Sequence, residues 1–232
     1  MASLNQLISE VAHAVGDPNS VPLRRNIRYA ILHTRNELIR KSYENHHYID
    51  KGLQQRFRIN LIDVPDGDLH NSDMLKLPAI KRSVNKVPKS VRLTNGLPFQ
   101  SIRTAGFNNT EIAFAKEASA KFYTHLVGLC NTPVYDYING YLYFFNHDAN
   151  WFDGINAIII ESVFEMPHLI PEETVESLKE PTTDIDSETI YDNDEFLLPE
   201  DMIGAIKDII FKRNLLNIPR ETNEIPTDNV IK

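Results

Sequence analysis

Val134-Tyr135-Asp136-Tyr137-Ile138-Asn139-Gly140-Tyr141-Leu142-Tyr143-Phe144-Phe145 is the stretch that decides how this chain folds. Two β-prone runs flank Asn139-Gly140, the dipeptide best suited to the two positive-φ positions of a type I′ turn, so the spacing predicts a β-hairpin. Outward from it, Arg56–Asp63 alternates with Phe57, Ile59 and Leu61 apolar and Val64 just after. Ala157–Phe164 is a further β-branched run, and Ser90–Leu93 a short strand bounded by Pro88 and Asn95-Gly96. Thr110–His125 stays open between strand and helix, because its alternation favours one and its alanines the other.

The periodicity changes at both ends of this β-rich middle. Leu4, Leu7, Ile8, Val11 and Val15 share one helical stripe. Ser3 and Gln6 have the spacing of a capping box that would satisfy two orphan N–H groups. Gly16-Asp17-Pro18-Asn19-Ser20 stops that helix, and Pro22 starts another at a first-turn position. Leu23, Ile27, Ile31, Thr34 and Leu38 continue an inward stripe. Arg24, Arg28 and Arg35 lie on a different face, expected to be solvated or to touch a partner. Near the other end, Pro199-Glu200-Asp201 opens a helix with carboxylates at its positive pole and Lys212-Arg213 closes it. Met202, Ile206, Ile209, Ile210 and Leu215 form its stripe.

The expected fold is therefore α+β. It comprises a helical hairpin (1–45), a central antiparallel β-module (46–168), an acidic linker (169–198), a C-terminal helix (199–216) and an extended docking tail (217–232). No internal repeat is visible. With 232 residues, 42% hydrophobic and 24% charged, the chain has enough apolar content for a core. A single cysteine, Cys130, excludes an intramolecular disulfide and agrees with a reducing compartment. No apolar run approaches the roughly 20 residues needed to span a bilayer, and no signal-peptide layout opens the chain. These readings point to a soluble protein made inside a cell.

Charge is split along the chain. Residues 1–103 hold 16 Lys+Arg against 9 Asp+Glu, and residues 104–232 hold 8 against 23. The acidic side peaks between Glu161 and Asp201, where 14 carboxylates face only Lys179. Such asymmetry speaks to partners rather than to fold. The segment from Lys76 to Arg92 is its basic counterpart, with Lys81, Arg82, Lys86 and Lys89 between. Contact with nucleic-acid phosphate or with an acidic protein surface, and an ordinary solvated loop, are all open readings of it.

Sites for chemistry are scarce. Asp184, Asp186, Glu188, Asp192 and Glu195 mimic an EF-hand loop, but Thr189 stands where glycine is required, leaving a solvated acidic linker as the better reading. Of eight histidines only His46 and His47 are close, and neither a His-Glu-x-x-His nor a Cys-x-x-Cys pair occurs. Cys130 sits among Leu126, Val127 and Leu129, as a buried inert thiol would. Glycine-rich phosphate loops and a Gly-x-Ser-x-Gly elbow are missing. No catalytic residue, metal ligand or cofactor is therefore assigned. Candidate interface residues are Arg24, Arg28 and Arg35 together with Tyr135, Tyr137, Tyr141 and Tyr143, tyrosine being enriched at interfaces. A half-buried sheet face is the other reading of those tyrosines.

Leu4-Asn5-Gln6-Leu7-Ile8-Ser9-Glu10-Val11, the Gly16-Asp17-Pro18 break, the Val21-Pro22-Leu23-Arg24 restart and the closing Phe196-Leu197-Leu198-Pro199-Glu200-Asp201-Met202 resemble a known group. They are similar to the head-to-tail adaptor and tail ring (connector) proteins of short-tailed, crAss-like bacteriophages. The resemblance implies a structural virion protein without catalytic residues, made in the host bacterial cytoplasm. It implies rings, commonly of twelve copies, beneath a portal protein and against adjacent tail rings. It also implies transient passage of genomic double-stranded DNA through the channel and no membrane partner. Twelve copies at −8 each would carry about −96 formally, a lumen along which DNA slides without sticking. In that setting Arg24, Arg28 and Arg35 are expected to meet carboxylates of a neighbouring subunit or ring. The rival readings are a nucleic-acid-binding module using residues 76–92 and an enzyme with converging carboxylates in a deep pocket.

Overall fold

A computed structural model describes residues 3–68, 79–106, 109–123, 132–146, 148–170 and 196–212. The expected helical hairpin forms from α1 (Leu4–Val15) and α2 (Val21–His46). The Ser3 hydroxyl accepts from the Gln6 backbone N–H at 3.2 Å, but the Gln6 side chain donates onward to Glu10. Only half of the capping box is made. Gly16 ends α1 at φ +94°, its N–H shared between the Ala12 and His13 carbonyls. His47 caps α2 in the same left-handed region, so the His46-His47 pair ends that helix.

Seven strands follow: β1 (Gln55–Asp63), β2 (Lys81–Ser83), β3 (Ser101–Thr104), β4 (Ala113–Phe114), β5 (Val134–Ile138), β6 (Tyr141–Phe145) and β7 (Ala157–Ser162). They lie in the order β3-β7-β1-β2-β6-β5-β4. Neighbours are antiparallel except β4 and β5, which run parallel. The two edges approach each other: Ile112 N–H donates to the Ile102 carbonyl at 2.8 Å and Thr104 N–H to Thr110 at 3.0 Å. The sheet is thereby rolled almost closed, which removes most exposed edge.

The quoted hairpin sits at the centre of this arrangement, with Asn139 and Gly140 at φ 54° and 91°. Tyr135, Leu142 and Phe144 face the interior with Phe57, Ile158 and Ile160. Val134, Tyr143 and Phe145 face the other way and are covered by Val64, Ala115 and Ala120. Both faces of the hairpin are buried. The open stretch 110–125 resolves both ways, since its alternating start becomes β4 and its alanine-rich part becomes α3 (Glu117–Tyr123). Ser90–Leu93 is not a strand; it contributes one bridge, Ser90 to Phe164.

The C-terminal helix, α4 (Glu200–Lys212), packs Ile206 and Ile210 against Leu7, Val11, Ile27 and Ile31 in one core. Lys207 reinforces that packing with an ion pair to Glu10 at 2.6 Å. A second seam, Ile39, Ile49, Leu53, Val91 and Val163, joins the later part of α2 to the sheet. Most of the expected acidic linker, Leu215, the tail 217–232 and Cys130 lie outside the described residues.

Candidate interface surfaces

The three arginines do share a stripe of α2, yet it is not a free one. Arg24 donates to the Pro18 carbonyl at 3.3 Å and to Ser9 Oγ at 3.1 Å, tying α2 to the preceding turn and to α1. Arg28 is half-buried, and burial followed by the charges of Arg24 and Arg25 lowers its pKa. Arg35 is fully buried, which corrects the expectation that it is solvated. Its Nη1 donates to the Phe164 carbonyl at 3.0 Å and its Nε to the Leu197 carbonyl at 3.1 Å. The guanidinium also lies 5.8 Å from the centre of the Phe196 ring. The reason is tertiary: the chain leaving β7 crosses this stripe, and so does the segment leading into α4. His168 lies on that crossing chain, and burial together with the charges of Arg28 and Arg35 depresses its pKa to about 4.

The four tyrosines are likewise engaged within the chain. Tyr135 is buried, which pushes its hydroxyl pKa up. Tyr137 donates to the Val87 carbonyl at 3.3 Å and meets Phe99 edge-on at 5.2 Å. Tyr143 donates to Asp68 Oδ2 at 3.0 Å, and Arg82 bonds the same oxygen while stacking 4.8 Å from the Tyr141 ring. Rolling the sheet covers both faces of the hairpin, so these side chains hold the fold together instead of forming a continuous exposed patch.

The basic segment is divided in the same way. Lys76 lies outside the described residues. Lys81 and Arg82 belong to β2 and pair with Asp63 at 3.2 Å and Asp68 at 3.0 Å. Lys86, Lys89 and Arg92 stay exposed and, with Lys116, line an open groove of about 1140 Å³ whose wall also holds Glu117, Asp136 and Glu165. Cations and carboxylates alternate there, which is not the continuous positive stripe that tracks a phosphate backbone.

Two surfaces emerge that sequence reasoning missed. On α2 the row Val21, Arg25, Tyr29 and His33, spaced four apart, faces outward; Val21 is 70% and Tyr29 71% exposed, with the Tyr29 ring stacked on His33 at 6.2 Å. The four-residue spacing is visible in the sequence, but that these residues face outward is set by the packing of the rest of α2. The second surface gathers exposed Asp63, Asp66, Asp148 and Asp153 at one end of the rolled sheet. No sequence pattern announces it, because only the antiparallel register, Asn60 opposite Ala157, puts the end of β1 and the approach to β7 at one end of the sheet.

Among the described residues no group of three His, Cys, Asp or Glu is placed to hold a metal ion, and no helix is long and apolar enough to cross a membrane. The segment containing Asp184–Glu195 lies outside the described residues. In comparisons with known proteins, a family model described as phage tail ring protein 2 matches residues 6–229. No curated protein matches the chain.

Proposed function

Because the chain belongs to the phage tail ring protein family of crAss-like phages, as a match over residues 6–229 establishes, we propose that it is a subunit of a closed ring in the head–tail connector or tail barrel. It bridges portal and tail, stacks against adjacent tail rings, and encloses the channel through which double-stranded DNA leaves the head. A ring of twelve copies is the form proposed. The observation that carries this reading is the near full-length family match; the two exposed, oppositely charged surfaces support it. A ring needs two different patches on each subunit that fit each other, since a heterologous contact closes into a cycle when its rotation allows. The role is architectural, and no catalysis is assigned. Net charge of −8 per chain suits a channel that repels DNA rather than holding it.

Native mass determination of the full chain, alone and with purified portal protein, tests the proposal. A discrete ring, or a portal-bound complex near twelve copies, is expected. A chain that stays monomeric, ignores the portal and binds duplex DNA with steep salt dependence would favour the nucleic-acid-binding reading of residues 76–92 instead.

A further inference from the structure

The structure assigns positive and negative surfaces to opposite ends of the molecule. β7 sets the axis. Its first residue, Ala157, pairs with Asn60 near the end of β1, and its last, Ser162, pairs with Gln55. Beyond Ser162 the chain reaches the helices: the Phe164 carbonyl takes Arg35, and Val163 packs with Ile39 of α2. Before Ala157 it comes from the segment holding Asp148 and Asp153, at the same end of the sheet as Asp63, the last residue of β1, and Asp66 in the turn after it. Six residues of strand, about 20 Å, therefore separate an acidic end from a helical end.

Among the described residues the acidic end is under-compensated. Asp66, Asp148 and Asp153 are exposed, and Asp63 keeps its side chain 86% exposed although Lys81 lies 3.2 Å away. Ile62, 37% exposed, supplies an apolar contact among them. On α2, Arg25 sits in the outward row with Val21, Tyr29 and His33, flanked by Arg24 and Arg28, while Asp17 is the carboxylate of the turn before it. Arginine and tyrosine around an exposed apolar residue is the composition that dominates interface energetics. Complementary potentials speed encounter and fix orientation.

We infer that the Arg25–Tyr29–His33 row of α2 in one copy docks onto the acidic sheet end, Asp63, Asp66, Asp148 and Asp153, of the next copy. This rests on the ring reading and names its contact. The occupant is a second copy of this chain because both halves of a complementary pair stand on one molecule, at opposite ends, where neither reaches the other within a chain. Repeated, the contact runs head to tail and closes into a ring.

The test uses two variants of the full chain, Arg25→Ala/Tyr29→Ala and Asp66→Lys/Asp153→Lys, with mass measured by light scattering, alone or on the portal. Each variant carries one faulty and one intact surface. Each alone is expected to lose the ring and run as a monomer with an unchanged urea midpoint. Mixed one to one, they should form a dimer and nothing larger, since only one productive contact remains. A wild-type-sized ring from either variant, or a mixture that stays monomeric, overturns this inference and leaves the ring reading standing. A wild-type chain that never assembles, even with portal, overturns the ring reading and this inference with it.

Discussion

Replacing Arg35 by methionine tests whether the fold depends on a buried cation as a joint. Methionine keeps the length and much of the volume of the side chain, so cavity effects stay small. Two effects oppose each other. Burial holds the guanidinium near pKa 10, so it is charged at neutral pH in a place that disfavours charge. Removing it relieves a penalty of about 3 kcal/mol. Against that stand the bonds to the Phe164 and Leu197 carbonyls at 3.0 and 3.1 Å, and to Asn36 Oδ1 at 3.1 Å. Charge-assisted bonds are worth about 1.5–3 kcal/mol each, and the acceptors would be left without this donor. The loss exceeds the relief, and Arg35→Met should be about 2 kcal/mol less stable in equilibrium urea unfolding at pH 7. Hydrogen exchange should rise in Phe196–Leu198, which the guanidinium holds. Arg35→Glu should fail to fold rather than give a folded, unassembled monomer, because it reverses charge in a fully buried site. A methionine variant as stable as the parent, or more so, would refute the reasoning and mean that desolvation outweighs the three bonds.

Phe144→Ala should cost about 3–5 kcal/mol, since Phe144 is fully buried and packs edge-on to Phe152 at 5.7 Å; a loss under 1 kcal/mol in the urea midpoint analysis would show that the sheet interior collapses freely. Gly140→Ala should cost about 1 kcal/mol, because φ is +91° and the new Cβ meets the Lys86 side chain at 3.4 Å; thermal melting at unchanged or raised midpoint would contradict the turn geometry. His168 stays neutral in the fold down to about pH 4, whereas the unfolded chain protonates it near 6.5. Its contribution is therefore complete above pH 6.5 and falls by up to about 1.4 kcal/mol per pH unit toward pH 4. Arg28 and Arg35 face it, and their charge does not change over that range. The stability difference between pH 7.5 and 5 should shrink in His168→Gln, and an undiminished difference would sink the assignment.

Much of the fold was legible because it rests on local chemistry. Asn139-Gly140 needs two positive φ values whatever surrounds it, Gly16 and Pro22 punctuate the helices by their backbones, and β1 alternates because one face is inside. The misreadings share a cause. Residue 35 lies on a polar stripe of an amphipathic helix, and such stripes normally face water; only the return of residues 163–168 and 196–198 across it makes it interior. The tyrosines of β5 and β6 suggested an outward face, but rolling the sheet gave each face its own core. Ser3 made its half of the cap because one hydroxyl suffices, while Gln6 found Glu10 one turn on.

Charge shows the division most clearly. The chain by itself determined how many charges there are and that cations dominate the first 103 residues, since these are properties of composition. Which charges act together was decided only in three dimensions. Pairing Ala157 with Asn60 carries Asp63 and Asp66, from the basic part of the sequence, to the same end of the sheet as Asp148 and Asp153 from the acidic part. Pairing Lys81 with Asp63 and Arg82 with Asp68 removes two of the six cations of the expected basic segment from the surface that a partner meets. Sequence order sets which residues are neighbours along the backbone, whereas hydrogen-bond register and burial set which side chains share a surface.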